Sequence, residues 1–132
     1  MKRMDGLHLT ADLSGCDPAL PAMQDVAALR RLCLGAVAEA GLQAVGELFH
    51  RFSPLAPGEP AGATGVVLLA ESHLAVHTWP ERGAVTLDAY VCNVGADNRA
   101  RAEALVAALL AAFAPTGVRR QALQRGALPA LT

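Results

Sequence analysis

The apolar residues of this chain recur with two different spacings, which predict two helices set among several strands. From Pro21 to Ala40 they return at steps of three and four residues, the spacing of an amphipathic helix, and Gly41 is expected to end that helix. A second stripe of this kind runs from Asn98 to Ala114, with Asp97 as the expected cap and Pro115 as the stop. The first stripe consists of Val26, Leu29, Cys33, Val37 and Ala40, and the second of Ala102, Leu105, Leu109 and Phe113.

Strands are predicted where apolar and polar residues alternate, or where short apolar runs lie between turn residues. Pro54–Ala61 is predicted to be a loop because it contains three prolines, and the tail beyond Gly126 is expected to fray. The order of elements predicts an α+β fold, a two-layer sandwich with a mainly antiparallel sheet and two helices on one face. The predicted strands are Leu7–Leu13, Gln43–Phe52, Thr64–Ala70, His73–Trp79, Ala84–Cys92 and Val118–Gln124.

The face of the sheet that the helices leave open carries an unusual mixture of side chains. Because successive residues of a strand point to opposite faces, His77, Trp79 and Cys92 are expected to share this open face. A mixed face that includes an indole is typical of a pocket or an interface. We therefore expect a homodimer in which two sheets pair across a two-fold axis as a four-layer αββα arrangement.

Composition limits the class of protein. At 132 residues the chain is expected to form one domain, and a net charge of −1 provides no basic surface for nucleic acid. No signal peptide is expected, because no apolar run follows the charged residues at the N-terminus, and no membrane partner is expected, because no apolar run is long enough to cross a membrane. Three widely spaced cysteines favour neither a disulfide framework nor a metal site, and they indicate a cytoplasmic location.

A hydroxyl, an imidazole and a thiol lie close together in the sequence, as Ser72, His77 and Cys92. His77 follows Ser72 by five residues, an odd number, so a regular strand through both would place them on opposite faces. A turn or distortion is therefore expected at Ser72. Such a distortion would expose the Glu71–Ser72 peptide bond and allow the hydroxyl to bend back toward it, as a strained serine nucleophile must.

These residues also carry a family resemblance. The segment Gly65–His73, followed by His77–Glu81, Asp88 and Cys92, closely resembles the bacterial and archaeal S-adenosylmethionine decarboxylase proenzymes. A lone Glu-Ser-His would be weak evidence, but the histidine and the cysteine stand at the family's spacings. Earlier segments resemble the same family in the same order, namely Gly6–Leu9, Ser14–Asp17 and His50–Pro54.

The resemblance implies that the chain cuts itself between Glu71 and Ser72, giving a beta chain of residues 1–71 and an alpha chain of residues 72–132. The serine hydroxyl would attack the preceding carbonyl, and the resulting ester would eliminate and hydrolyse to a pyruvoyl group. In this scheme His77 is the processing base, and Thr64 supplies a hydroxyl near the intermediate. An imidazole suits the role because its ordinary pKa is about 6.5.

The resemblance also implies the reaction of the processed enzyme. The pyruvoyl cofactor forms a Schiff base with the substrate amine and accepts electrons as carbon dioxide leaves, and Cys92 is the general acid that then protonates carbon. Consistent with a pyruvoyl group instead of pyridoxal phosphate, the only lysine is Lys2. Phe52 and Trp79 would border the adenine of S-adenosylmethionine and Glu81 would hold its ribose. The product would be the aminopropyl donor for spermidine synthesis.

Two alternatives remain open from the sequence. A pyruvoyl enzyme of this family could decarboxylate arginine or ornithine instead, which needs a carboxylate for the distal cation, with Asp88, Glu59 or Glu81 as candidates. The chain could also be an uncleaved, non-catalytic binding subunit. Among the other candidates, Asp88 is expected to orient a neighbour, Cys16 and Cys33 to be buried, and His8, His50 and His73 to make structural hydrogen bonds.

Overall fold

The computed structural model describes residues 5 to 126, which form one six-stranded sheet with helices on one of its faces. The predicted α+β order is confirmed, with one additional short helix. The prediction of a frayed tail beyond Gly126 lies outside the described residues. In chain order the elements are β1 (Gly6–Ser14), α1 (Pro21–Gln24), α2 (Val26–Glu39), β2 (Ala44–Arg51), β3 (Ala63–Leu69), β4 (Ser72–Trp79), β5 (Ala84–Cys92), α3 (Arg99–Phe113) and β6 (Gly117–Arg125).

The strands follow the order β2-β3-β4-β5-β1-β6, and every neighbouring pair is antiparallel. The run from β2 to β5 follows the order of the chain, because consecutive antiparallel strands pair most readily; the connections from β3 to β4 and from β4 to β5 are short, whereas residues 52–62 form a longer loop between β2 and β3. β1 departs from this pattern, since it pairs with β5 on one side and with β6 on the other. The first strand of the chain is therefore inserted between two strands from its second half.

Both predicted helical stripes face the sheet. Leu29 and Cys33 of α2 are fully buried, and so are Leu105 and Phe113 of α3. These side chains pack against the alternate residues of the strands that point toward the helices, and each large apolar side chain buried in this way contributes roughly 1.5–3 kcal/mol. The helix-facing strand residues include Leu9, Ala11, Val67, Leu74, Val76, Val85, Leu87 and Ala89.

The single helix predicted over Pro21–Ala40 is in fact two helices. Asp25 interrupts it with an extended backbone, at φ −100° and ψ 112°, and its carboxylate accepts a hydrogen bond from the Ala27 N–H at 2.9 Å. Asp25 is thus the N-cap of α2, a role that suits aspartate. The apolar spacing continues across this break and therefore conceals it.

The second helix begins close to its predicted cap. Asp97 accepts a hydrogen bond from the Arg99 N–H at 3.1 Å, and the N-cap position itself is occupied by Asn98. The Arg99 guanidinium also donates to this carboxylate, and these hydrogen bonds lower the pKa of Asp97 to about 2.

The opposite face of the sheet has no covering layer within residues 5 to 126. Leu48 of β2 is 71% exposed, and Leu68 of β3 and Leu123 of β6 are each 50% exposed. His77 and Trp79 lie on this same face, as the alternation predicted. None of the helices in the described part of the chain is long and apolar enough to cross a membrane.

Candidate functional site

The Glu71–Ser72 peptide bond lies at the tip of a hairpin. β3 ends at Leu69 and β4 begins at Ser72, and these two residues pair directly, so Ala70 and Glu71 form the turn. Glu71 has φ +58°, in the left-handed region that a non-glycine residue occupies at a cost of about 1–3 kcal/mol. The irregularity expected at Ser72 therefore belongs to Glu71, and β4 runs regularly from Ser72 onward.

Ser72 is held against the end of β5. Its Oγ accepts a hydrogen bond from the backbone N–H of Cys92 at 3.0 Å. The carbonyl of Cys92 accepts in turn from the side-chain amide of Asn98 at 2.9 Å, and the next residue, Asn93, donates its N–H to the Asp5 carbonyl. Cys92 is buried at the last position of β5. Glu71, Ser72 and Cys92 therefore form one group, at the Ser72 end of β4.

A second group lies toward the other end of β4. Thr64 and His77 pair across β3 and β4, and the Thr64 hydroxyl forms a hydrogen bond with His77 Nδ1. The ring of Trp79 lies beside His77 with the centroids 6.0 Å apart. Thr78, on the buried side of the same strand, donates to the Met23 carbonyl at 3.0 Å and accepts from the Ala63 N–H at 2.9 Å, which fixes this end of β4.

Phe52, Trp79 and Glu81 line one cavity of about 370 Å³, within the range of small-molecule sites. Its outer wall is the loop predicted from the prolines, which includes Leu55 and Glu59. The Phe52 N–H donates to the Gly62 carbonyl at 2.8 Å. Gly62 itself admits no side chain, because a Cβ there would lie 1.9 Å from the Thr78 carbonyl oxygen. All three predicted substrate-binding residues are thus brought together.

The two groups are not brought together within one chain. Ser72 and His77 point to opposite faces of β4, and five residues at 3.3 Å each separate them by about 16 Å along the strand. A hydrogen bond between the hydroxyl and the imidazole within one subunit would require β4 to be broken. The five-residue spacing already indicates that Ser72 and His77 lie on opposite faces if the strand is regular. The structure shows that β4 is regular from Ser72 onward.

Three further polar residues cluster on the open face. The Asp88 carboxylate accepts hydrogen bonds from His8 and His73, at 2.9 and 2.8 Å. The hydrogen bonds expected of His8 and His73 are therefore present, and Asp88 contacts both. The sequence does not bring these residues together, because β1 and β5 become neighbours only through the sheet order.

The other two cysteines, Cys16 and Cys33, are not placed to react. Cys16 and Cys33 are both buried, as expected. Burial raises the pKa of the Cys16 thiol, and it raises that of Cys33 to about 12 because the thiolate would lose its hydration. Neither is a reactive thiolate near neutral pH.

Comparisons with known proteins agree with the fold and the motif. The family model described as S-adenosylmethionine decarboxylase matches residues 7–126. The chain is 36% identical to the S-adenosylmethionine decarboxylase proenzyme of Persephonella marina, over 98% of this chain and 88% of that protein. It is 36% identical to the proenzyme of the same name from Picrophilus torridus, over 96% and 88% of the two chains.

A solved structure resembles the whole chain. The crystal structure of the adenosylmethionine decarboxylase from Aquifex aeolicus superposes with a TM-score of 0.82 at 33% identity and covers 98% of both chains. The sequence match and the structural match extend over the same hairpin, open sheet face and helices described above. This chain belongs to the S-adenosylmethionine decarboxylase family.

Proposed function

We propose that this chain is a self-processing, pyruvoyl-dependent decarboxylase that acts on S-adenosylmethionine and makes the aminopropyl donor for spermidine synthesis. The observation that carries the proposal is the hairpin at Glu71–Ser72, where a strained left-handed residue immediately precedes a serine hydroxyl. Family membership supports the same reading.

The hairpin suits a cut at this bond. Ser72 Oγ attacks the Glu71 carbonyl carbon, the C–N bond breaks, and Glu71 becomes an ester of the serine. Elimination then releases the Glu71 carboxylate and leaves a dehydroalanine, which loses ammonia on hydrolysis to give the pyruvoyl end. Cleavage relieves the left-handed strain at Glu71, and the hydrogen bond from the Cys92 N–H holds Ser72 Oγ near the end of β5.

The base for these steps is assigned to His77 of a second subunit. A two-fold axis that lies between the two paired open faces, parallel to them and perpendicular to β4 at its middle, lays the Ser72 end of one strand over the Trp79 end of its partner. Cys92, which lies beside Ser72 at that end of one subunit, is then opposite His77 and Thr64 of the other. The apolar side chains exposed on this face supply a reason for the pairing, since water is excluded from them in the dimer.

Within this composite site each side chain has a role. A Thr64 hydroxyl that accepts from His77 Nδ1–H leaves Nε2 as the basic nitrogen. After processing, the pyruvoyl group supplies a carbonyl that accepts electrons as carbon dioxide leaves. Cys92 donates a proton to carbon, and Phe52, Trp79 and Glu81 hold the nucleoside in the cavity.

Complementation tests the composite site. Neither Ser72→Ala nor His77→Ala is expected to cut itself when produced alone, because each dimer lacks either the nucleophile or the base. When the two are produced together with different tags, the His77→Ala chain is expected to be cut and the Ser72→Ala chain to stay whole. Mass spectrometry of each tagged chain gives the answer. A double variant, Ser72→Ala with His77→Ala, is the control partner and should rescue nothing.

Failure of the His77→Ala chain to be cut in the mixture would contradict the composite site. Efficient cutting of His77→Ala without any partner would remove His77 from the processing step altogether.

A substrate comparison tests the activity itself. Labelled carbon dioxide should be released from S-adenosylmethionine far faster than from arginine or ornithine, because the cavity offers aromatic walls to a purine. Phe52→Ala should raise KM for S-adenosylmethionine about 5- to 150-fold, the equivalent of one lost stacking contact, without blocking cleavage. Phe49→Leu is the matched control, since Phe49 contacts Gly65 and does not line the cavity.

Faster turnover of arginine or ornithine than of S-adenosylmethionine would contradict the proposed substrate and support the alternative decarboxylase. Glu59, which lines the same cavity, would then be the first carboxylate to test for binding of the distal cation.

A further inference from the structure

A continuous series of hydrogen bonds crosses the open face and ends at the residue that follows Ser72. Arg125 lies 2.8 Å from His8 Nδ1, His8 Nε2 lies 2.9 Å from the Asp88 carboxylate, and His73 Nε2 lies 2.8 Å from the same carboxylate oxygen. The four residues belong to four neighbouring strands, β6, β1, β5 and β4. We call this series the Arg125–His73 chain.

The direction of each hydrogen bond follows from the chemistry of arginine. A guanidinium can only donate, so His8 Nδ1 must accept from Arg125. A neutral His8 then carries its hydrogen on Nε2 and donates it to Asp88. His73 also donates from Nε2, because the carboxylate has no hydrogen to offer. Every link therefore has a fixed donor and a fixed acceptor.

This order distinguishes the cluster from a metal site. The candidate ligand atoms of His8, His73 and Asp88 all lie within 4.8 Å of one another, as they would around an ion. However, a ring nitrogen that carries hydrogen cannot bind a metal, and the bond from Arg125 keeps the hydrogen on His8 Nε2. The geometry therefore favours a structural hydrogen-bonded chain.

The side chain of Tyr90 packs among the same residues. Its ring centroid lies 5.7 Å from that of His8 and 5.8 Å from that of His73, and the Arg125 guanidinium lies 5.5 Å from the ring centre. These contacts restrict the rotamers of both histidines. The position of His73 is thus determined by its neighbours on three other strands.

His73 directly follows Ser72, so a fixed position of His73 also restrains residue 72. Once the bond between Glu71 and Ser72 is cut, residue 72 loses its covalent link to β3 and becomes a chain end whose only covalent attachment is to His73. A reacting group must be held to within a fraction of an ångström, and a chain end is covalently restrained on one side only. We propose that the Arg125–His73 chain positions the group made from Ser72 against Cys92, so that His73 is a positioning residue for decarboxylation. This inference rests on the proposed function.

Two substitutions at His73 distinguish a need for its hydrogen bond to Asp88 from a need for the imidazole ring itself. Glutamine places an amide N–H where His73 Nε2 lies and can still donate to Asp88, whereas asparagine is too short to reach it. His73→Gln is therefore expected to keep at least a third of the wild-type kcat on S-adenosylmethionine. His73→Asn is expected to lose about 10- to 100-fold in kcat with KM within about 3-fold, because misplacement by 1 Å can cost about 10² in rate.

The measurement is turnover per pyruvoyl group. Mass spectrometry of the two fragments counts completed cleavage, and labelled carbon dioxide gives kcat and KM for each variant. Arg120→Gln is the surface control, since Arg120 lies on β6 but bonds to Glu103 at 3.0 Å, and it should match the wild type. If His73→Asn does not fold, the pair His8→Gln and His8→Asn replaces it, with a loss of about 3- to 10-fold confined to asparagine, the equivalent of one hydrogen bond.

Equal kcat values for the glutamine and asparagine variants overturn the proposal. Equal large losses in both show that the imidazole itself is needed, and loss of cleavage in the asparagine variants alone shows that the chain serves processing instead. Both results reject a positioning role in turnover. A wild type that releases carbon dioxide from none of the three substrates is a failure of the proposed function, and it is recognised before any variant is compared.

Discussion

Ser72→Ala is expected to remain a single chain of full length and to release no measurable carbon dioxide from S-adenosylmethionine. The substitution removes the hydroxyl that is proposed to attack the Glu71 carbonyl, so neither the cut nor the pyruvoyl group should form. Intact mass after prolonged incubation at neutral pH should show one species for the variant. The wild type should show two, the second beginning with a pyruvoyl group in place of Ser72.

A matched serine provides the control for this loss. Ser14→Ala removes an exposed hydroxyl at the end of β1, and this variant should cut itself as the wild type does. A wild-type chain that stays intact under the same conditions would remove the basis for the pyruvoyl mechanism and favour the non-catalytic binding subunit.

Cys92→Ala is expected to separate cleavage from turnover. The hydrogen bond to Ser72 Oγ comes from the backbone N–H of residue 92, so alanine retains it and the cut should still occur. Decarboxylation should fall by about 10² or more, the range expected when a general acid is lost, with cleavage and turnover measured on the same preparation. Cys33→Ala, which removes a thiol on the buried side of α2, is the matched control and should leave turnover unchanged.

Near-normal turnover in Cys92→Ala would show that Cys92 is not the proton donor, and the general acid would then be His77 or a water molecule. Loss of cleavage in the same variant would instead place the thiol in the processing step.

The fold was largely predictable because its signals are local. Alternation placed Leu74, Val76 and Thr78 on the helix side of β4, and the two helical stripes are buried as their spacing indicated. The break at Asp25 was missed because the apolar spacing continues across it, and only the backbone dihedral angles reveal it. Element boundaries depend on such single residues, whereas element types depend on many.

The site was less predictable because it depends on which strands become neighbours. The motif predicts Ser72, His77 and Cys92 as candidate site residues, but the separation of Ser72 from His77 follows from unbroken pairing along β4. The contact between His8 and Asp88 joins residues 80 positions apart, and it exists because β1 is inserted beside β5. A pattern of local spacings contains no information about that insertion.

The insertion of β1 has a consequence for the lifetime of the processed molecule. After a cut at Glu71–Ser72, β1, β2 and β3 belong to one fragment, and β4, β5 and β6 belong to the other. Because β1 lies between β5 and β6, the fragments are interleaved and stay together without a covalent link. A precursor that unfolds can refold as one chain, whereas two separated fragments would have to find each other again at cellular dilution. Such a cut would make unfolding effectively irreversible, and each processed molecule would function only for as long as its first folded state persists.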